Sequence, residues 1–140
     1  MSIERELTGL DLSLEEVAGL APRLRARLAP AALERMRTSR ATVERAVRDG
    51  LTSYGITTGF GAFANRRIPA PKVLELQTNL VRSHACGTGA PLADVHVRRI
   101  LLLKANSLAV GHSGVRPEVV AALLALLAHD VLPRIPGRGS

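Results

Sequence analysis

A chain of 140 residues is long enough for one ordinary domain, which would bury on the order of 70% of the surface its unfolded form exposes. With 46% hydrophobic and 22% charged residues, wholesale disorder is excluded. The net charge of +7 rests on seventeen Arg and two Lys, but these are dispersed and no basic run alternates with aromatics, which argues against nucleic acid as a partner.

The amino-terminal MSIERELTGL is charged from residue 4 and has no apolar centre, so it does not read as a secretory signal. Ser13-Leu14-Glu15-Glu16 has the form of a capping box and starts a short helix over about 13–20. Pro30 suits the first turn of a longer helix, along which Leu33, Met36, Val43 and Val47 fall near helical spacing until Gly50 ends the pattern. Next comes SYGITTGFGAF, residues 53–63, which holds the only tyrosine, both phenylalanines and three of the twelve glycines. Pro69 and Pro71 bound it, so 51–69 reads as strand-like or looped.

Over 70–85, Val73, Leu76, Leu80 and His84 step by three, four and four residues, which places them on one helix face and directs His84 toward packed surface. CGTGAP at 86–91 ends that helix, and another fits 92–110 before GHSG at 111–114. Pro117 opens a last helix to about Asp130. Its run VVAALLALLA has ten apolar residues, against about 20 for a membrane span, and reads as a buried helix. The tail VLPRIPGRGS reads as a loop that leads nowhere. Helical spans cover over half of the chain, so the class is mainly α, with a core of Leu, Val, Ile and Ala because only three aromatics exist. Neither an internal repeat nor a low-complexity tract interrupts it.

Several motifs invite chemistry. Gly59-Phe60-Gly61-Ala62-Phe63-Ala64 matches a dinucleotide fingerprint, yet it runs into prolines where a helix should open, and the acid expected some 20 residues on is missing. Histidines at 84, 96, 112 and 129 contain no i, i+4 pair, so a metal site has little support. His112-Ser113 lacks both a nucleophile-elbow sequence and an orienting acid. Asn106 reads as a core amide bonded between helices. Cys86 is the single cysteine; it cannot form an internal disulfide, and a lone thiol suits the cytoplasm. For His84, spacing leaves open a satisfied buried histidine and a ligand-binding one. Tyr54 likewise reads as a tyrosine packed at a turn or as a reactive phenol approached closely between Gly55, Gly59 and Gly61.

Taken together, YGITTGFG at 54–61, LQTNLVRSHACGTG at 76–89, LKANSLAVGHSGVR at 103–116 and LPRIPGRGS at 132–140 resemble the amino-terminal part of the histidine and aromatic amino acid ammonia-lyases. The resemblance covers about residues 10–140, in order and in register. It implies a single amino-terminal domain over 1–140 of the lyase (fumarase/aspartase-like) fold, ahead of the electrophile loop and the central helical bundle. It also implies a tetrameric enzyme that removes ammonia from an amino acid with a methylidene-imidazolone made from an internal Ala-Ser-Gly. Tyr54 takes the role of catalytic acid/base at the substrate β-carbon, and Gly61 lies beside the substrate. Ser83-His84 matches the substrate-selecting pair, in the form typical of histidine lyases, where tyrosine lyases resemble His-Leu and phenylalanine lyases Phe-Leu. No Ala-Ser-Gly occurs in these 140 residues. The expectation is therefore the amino-terminal part of a histidine ammonia-lyase forming urocanate, inactive as an isolated chain and completed by homo-oligomerisation or a complementing lyase chain. The alternatives are a tyrosine or phenylalanine lyase or aminomutase of the same family, and a non-catalytic helical interaction module.

Overall fold

The computed structural model of the chain describes residues 4–59, 61 and 68–139. In chain order the elements are β1 (Glu4–Leu7), α1 (Leu14–Ala18), β2 (Arg25–Leu28), α2 (Pro30–Arg48), a 3₁₀ turn (Ala70–Lys72), α3 (Val73–His84), β3 (Thr88–Pro91), α4 (Asp94–Ala109), α5 (Pro117–His129) and β4 (Pro136–Arg138). All five expected helices are present. The capping box at α1 is formed, with the Glu16 amide donating to Ser13 Oγ at 3.2 Å and the Ser13 amide to Glu16 Oε2 at 2.8 Å. Pro30 and Pro117 stand in the first turns of α2 and α5, where a missing amide proton costs no helical bond.

Four short strands escape a reading of periodicity. β1 and β2 form a parallel pair in which Leu7 stands opposite Leu28, and β3 pairs antiparallel with β4. RARL of β2 does alternate, with Arg25 and Arg27 exposed and Ala26 and Leu28 half-buried. Four residues are too few for that alternation to stand out from a loop. The second pair corrects the expectation for the tail: VLPRIPGRGS is a return strand that seats Pro136 opposite Pro91 and Arg138 opposite Thr88.

The core is aliphatic. Leu7, Met36, Val97, Leu101, Leu102, Ala105, Leu108, Val120, Leu124 and Leu127 form one buried cluster drawn from β1, α2, α4 and α5. At roughly 25 cal/mol per Å² of apolar area removed from water, such a cluster is the main favourable term in folding. α5 corrects a second expectation, since VVAALLALLA is buried on one side only. Val120, Leu124 and Leu127 face the core while Ala121, Ala122 and Ala125 are exposed.

Arg35 joins three elements. Its guanidinium donates from Nε to the Val110 carbonyl at 3.1 Å and from Nη2 to the carbonyls of Ala109 and Thr8, which caps the last turn of α4 and ties it to the segment after β1. Asn106 is a third correction. Its Oδ1 is buried without a hydrogen-bond partner, so it does not bridge helices as expected of a core amide. Arg98 and Asp130 clasp α4 to the end of α5 through two bonds of 2.7 and 3.0 Å.

Candidate functional site

The loop that carries Tyr54 is organised by Thr57. Its hydroxyl donates to the Leu51 carbonyl at 2.6 Å and accepts from the Ser53 amide at 2.8 Å, while its own amide donates to the Ser53 carbonyl at 3.0 Å. The Thr57 carbonyl accepts from the Ile68 amide at 2.9 Å, which ties the loop to the approach to α3. Thr58 is 1% exposed and donates to the Gly59 carbonyl. With both threonines turned inward, Tyr54 is left at the tip of the turn, 66% exposed. This loop alone therefore leaves most of the Tyr54 side chain open to solvent. Gly61 lies on the same loop, exposed and at φ +54°, with open space where a Cβ would point. A side chain there meets backbone strain rather than a clash. Phe60 and Ala62–Ala64, and with them most of the dinucleotide-like pattern, fall outside the described residues.

Ser83 and His84 occupy the last turn of α3, where a histidine is well placed against the carbonyl end of a helix. The Ser83 hydroxyl donates to the Leu80 carbonyl at 3.0 Å. His84 Nδ1 lies 2.9 Å from that same carbonyl and 3.0 Å from Ser83 Oγ. A carbonyl only accepts, so Nδ1 carries the proton, and in the neutral ring Nε2 keeps the lone pair. Ser83 thus helps to fix a histidine whose outer nitrogen can accept a hydrogen bond.

The expectation that His84 points toward packed surface is corrected here. It is exposed, and along α3 only Leu76 and Leu80 are half-buried, every other described side chain being exposed. The helical spacing holds, and Leu76 and Leu80 do share the covered side, but among the described residues nothing buries the His84 side chain. Ser83 and His84 thus form one hydrogen-bonded cluster on α3, while Tyr54 and Gly61 belong to the preceding loop.

Two open grooves lie elsewhere. One of about 690 Å³ runs between β2 and α5, past Arg25, Leu28, Ala121 and His129. The other, of about 760 Å³, lies between α2 and the α4–α5 turn, past Thr38, Thr42, Ile56 and His112. Neither is lined by Tyr54, Gly61, Ser83 or His84. His112 and Ser113 are exposed on that turn, where the Gly114 amide donates to Ser39 Oγ at 2.9 Å. Among the described residues no group of three His, Cys, Asp or Glu could hold a metal ion, and no helix is long and apolar enough to cross a membrane. Sequence reasoning missed Thr57 and Thr58. Their signal is a pair of hydroxyl-bearing β-branched residues in the middle of a glycine-rich stretch, able to bond the loop's own backbone.

Residues 12–140 match the sequence model of the aromatic amino acid lyase family. The chain is 50% identical over 135 residues to a histidine ammonia-lyase of Anaeromyxobacter dehalogenans (strain 2CP-C), which covers 96% of this chain and 27% of that protein. Among solved structures, a histidine ammonia-lyase from Trypanosoma cruzi is similar with a TM-score of 0.87 and 34% identity, over 99% of this chain and 27% of that one. A tyrosine aminomutase from Streptomyces globisporus gives a TM-score of 0.88 at 33% identity, over 99% and 26%. The chain thus spans about a quarter of the length of the relatives it matches.

Proposed function

The chain belongs to the aromatic amino acid lyase family, and from that premise we propose that it is the amino-terminal part of an enzyme that eliminates ammonia from L-histidine to give urocanate. The observation that carries the choice of histidine is the Ser83-His84 pair on α3, with Nδ1 bonded to the Leu80 carbonyl and Nε2 free to accept. An imidazole substrate presents an N–H donor to such an acceptor, and a site built around that bond discriminates against rings that lack a donor. The exposure of α3, where only Leu76 and Leu80 are half-buried, and that of Tyr54 support a site completed by further polypeptide, as in a homotetramer or with a complementing lyase chain in the cytoplasm.

The elimination breaks two bonds. The β C–H pair becomes the new C=C π bond, and the C–N pair leaves with the amine. A β-proton is weakly acidic, so the step needs a well-placed base, and the Tyr54 oxygen is the acceptor this chain offers. Gly61, on the same loop, leaves room for the substrate beside it. His84 orients the ring, and Ser83 holds His84. The methylidene-imidazolone of the family would supply the electrophile that makes the amine a better leaving group; no Ala-Ser-Gly, from which it is made, occurs among these 140 residues.

Steady-state kinetics of a complete enzyme carrying this segment test the reading. Tyr54→Phe is expected to lower kcat on the order of 10²- to 10⁴-fold, and His84→Phe to raise KM for histidine and relax the preference toward phenylalanine. The isolated chain is expected to release no ammonia from histidine at an enzymatic rate. The similarity to a tyrosine aminomutase favours a second reading, a tyrosine lyase or aminomutase. A preference for tyrosine over histidine that His84→Phe leaves unchanged would establish it and refute the first.

A further inference from the structure

Beyond the end of α3 the chain meets its own tail. The Cys86 amide donates to the His84 carbonyl at 2.8 Å and Cys86 Sγ to the Ser83 carbonyl at 3.4 Å, so the turn that carries Cys86 is bonded directly to the Ser83-His84 pair. Gly87 follows, and a Cβ placed on it would lie 2.6 Å from Cγ and 2.9 Å from Cβ of Pro136. At the other end, a Cβ on Gly139 would lie 2.8 Å from the Cys86 carbonyl oxygen, and its φ of +77° is one that side chains rarely adopt. Between these contacts run the β3–β4 pairs, followed by a bond of 2.8 Å from the Leu92 amide to the Ile135 carbonyl.

Every residue of β3 and of β4 is exposed. A ladder that buries no side chain contributes little to the hydrophobic stabilisation of the fold. What it does is hold two stretches of main chain at contact distance, with glycine at three places where a side chain would force them apart: Gly87, Gly139 and, between them, Gly137, whose Cβ would lie 2.9 Å from the Ala90 carbonyl oxygen. We propose that the β3–β4 ladder, closed by Gly87 and Gly139, is a positioning device that holds the Ser83-His84 end of α3 in register with the strand by which the lyase chain continues, making Gly87 and Gly139 positioning residues for the substrate ring. This rests on the lyase reading above. Displacing one stretch against the other by about 1 Å would separate the ring-binding pair from the rest of the site, an error that costs on the order of 10²-fold in rate.

The test uses a complete lyase carrying this segment, with Gly87→Ala, Gly139→Ala and the double variant Gly87→Ala/Pro136→Gly, in which the atoms that the new methyl would strike are gone. Two quantities are read: amide exchange at Leu92, which reports ladder closure without reference to activity, and kcat/KM for histidine per folded molecule. Both single variants are expected to speed exchange at Leu92 and to lower kcat/KM about 10- to 100-fold, with most of both losses recovered in the double variant. Unchanged exchange in both single variants would overturn the closure. Faster exchange with unchanged kcat/KM in an active enzyme would overturn the positioning role while leaving the lyase reading intact. An unsubstituted enzyme that closes the ladder but acts on no amino acid would refute the lyase reading itself, and the positioning role with it.

Discussion

Arg35 and Asp130 show how a single charged side chain joins elements that hydrophobic contact alone leaves loosely oriented. The flat guanidinium of Arg35 reaches the carbonyls of Thr8, Ala109 and Val110 at once, a geometry that a lysine ammonium cannot reproduce. Arg35→Lys is expected to cost about 1–3 kcal/mol, seen in urea unfolding as a lower midpoint at unchanged slope. Asp130 ends α5 in the left-handed conformation, at φ 55°, with its carboxylate on Arg98. The bond from Arg98 holds the Asp130 carboxyl below the usual carboxylate range; burial opposes it, and the charges of Arg98 and Arg23, each a smaller effect than burial, add to the lowering. A lowered folded-state pKa means that the unfolded chain binds the proton more readily. The stabilisation is therefore complete above the ordinary aspartate value of about 3.9 and is lost as pH falls through the lower folded value. Asparagine accepts the left-handed conformation but does not titrate. Thermal unfolding of Asp130→Asn between about pH 5 and 2 is expected to show a shallower acid loss of stability than the parent chain.

Among the elements, α3 stands apart from α4 and α5. The latter two contribute Val97, Leu101, Leu102, Ala105, Leu108, Val120, Leu124 and Leu127 to the buried cluster. α3 has twelve residues and no fully buried side chain among those described. A helix of that length is marginal in water when no tertiary partner covers its apolar side. In the isolated chain, amide exchange along α3 is expected to run at least ~10²-fold faster than at the centre of α4, because opening α3 exposes little buried surface. Equal protection of the two helices would contradict this. The helices themselves were legible in the sequence because 3.6-residue spacing, the capping box at Ser13 and first-turn prolines are local signals. The strands were not, since three- and four-residue strands carry almost no periodicity and owe their existence to a partner far along the chain.

At the scale of the whole molecule, the most exposed apolar side chains include Leu14, Leu74 and Val81, the last two 78% and 69% exposed on α3. Leu74 and Val81, seven residues apart, share one face of α3, and exposed apolar side chains grouped on a face promote association. Sedimentation velocity of the isolated chain is expected to show concentration-dependent self-association, reduced in Leu74→Lys/Val81→Lys without a lower midpoint of thermal unfolding. A monomer across the same concentrations would argue against it. The amino-acid sequence by itself determined the helical class, the family resemblance and the identity of Tyr54, Gly61, Ser83 and His84 as candidates, since residue type and spacing are local properties of the chain. Only the tertiary structure decided that Thr57 turns Tyr54 outward, that Leu80 sets the proton on His84 Nδ1, that Asn106 Oδ1 stays unpaired and that the tail returns to lie against Cys86. Each of these depends on where one backbone atom stands relative to another, and that is settled by packing and hydrogen bonding rather than by the order of residues.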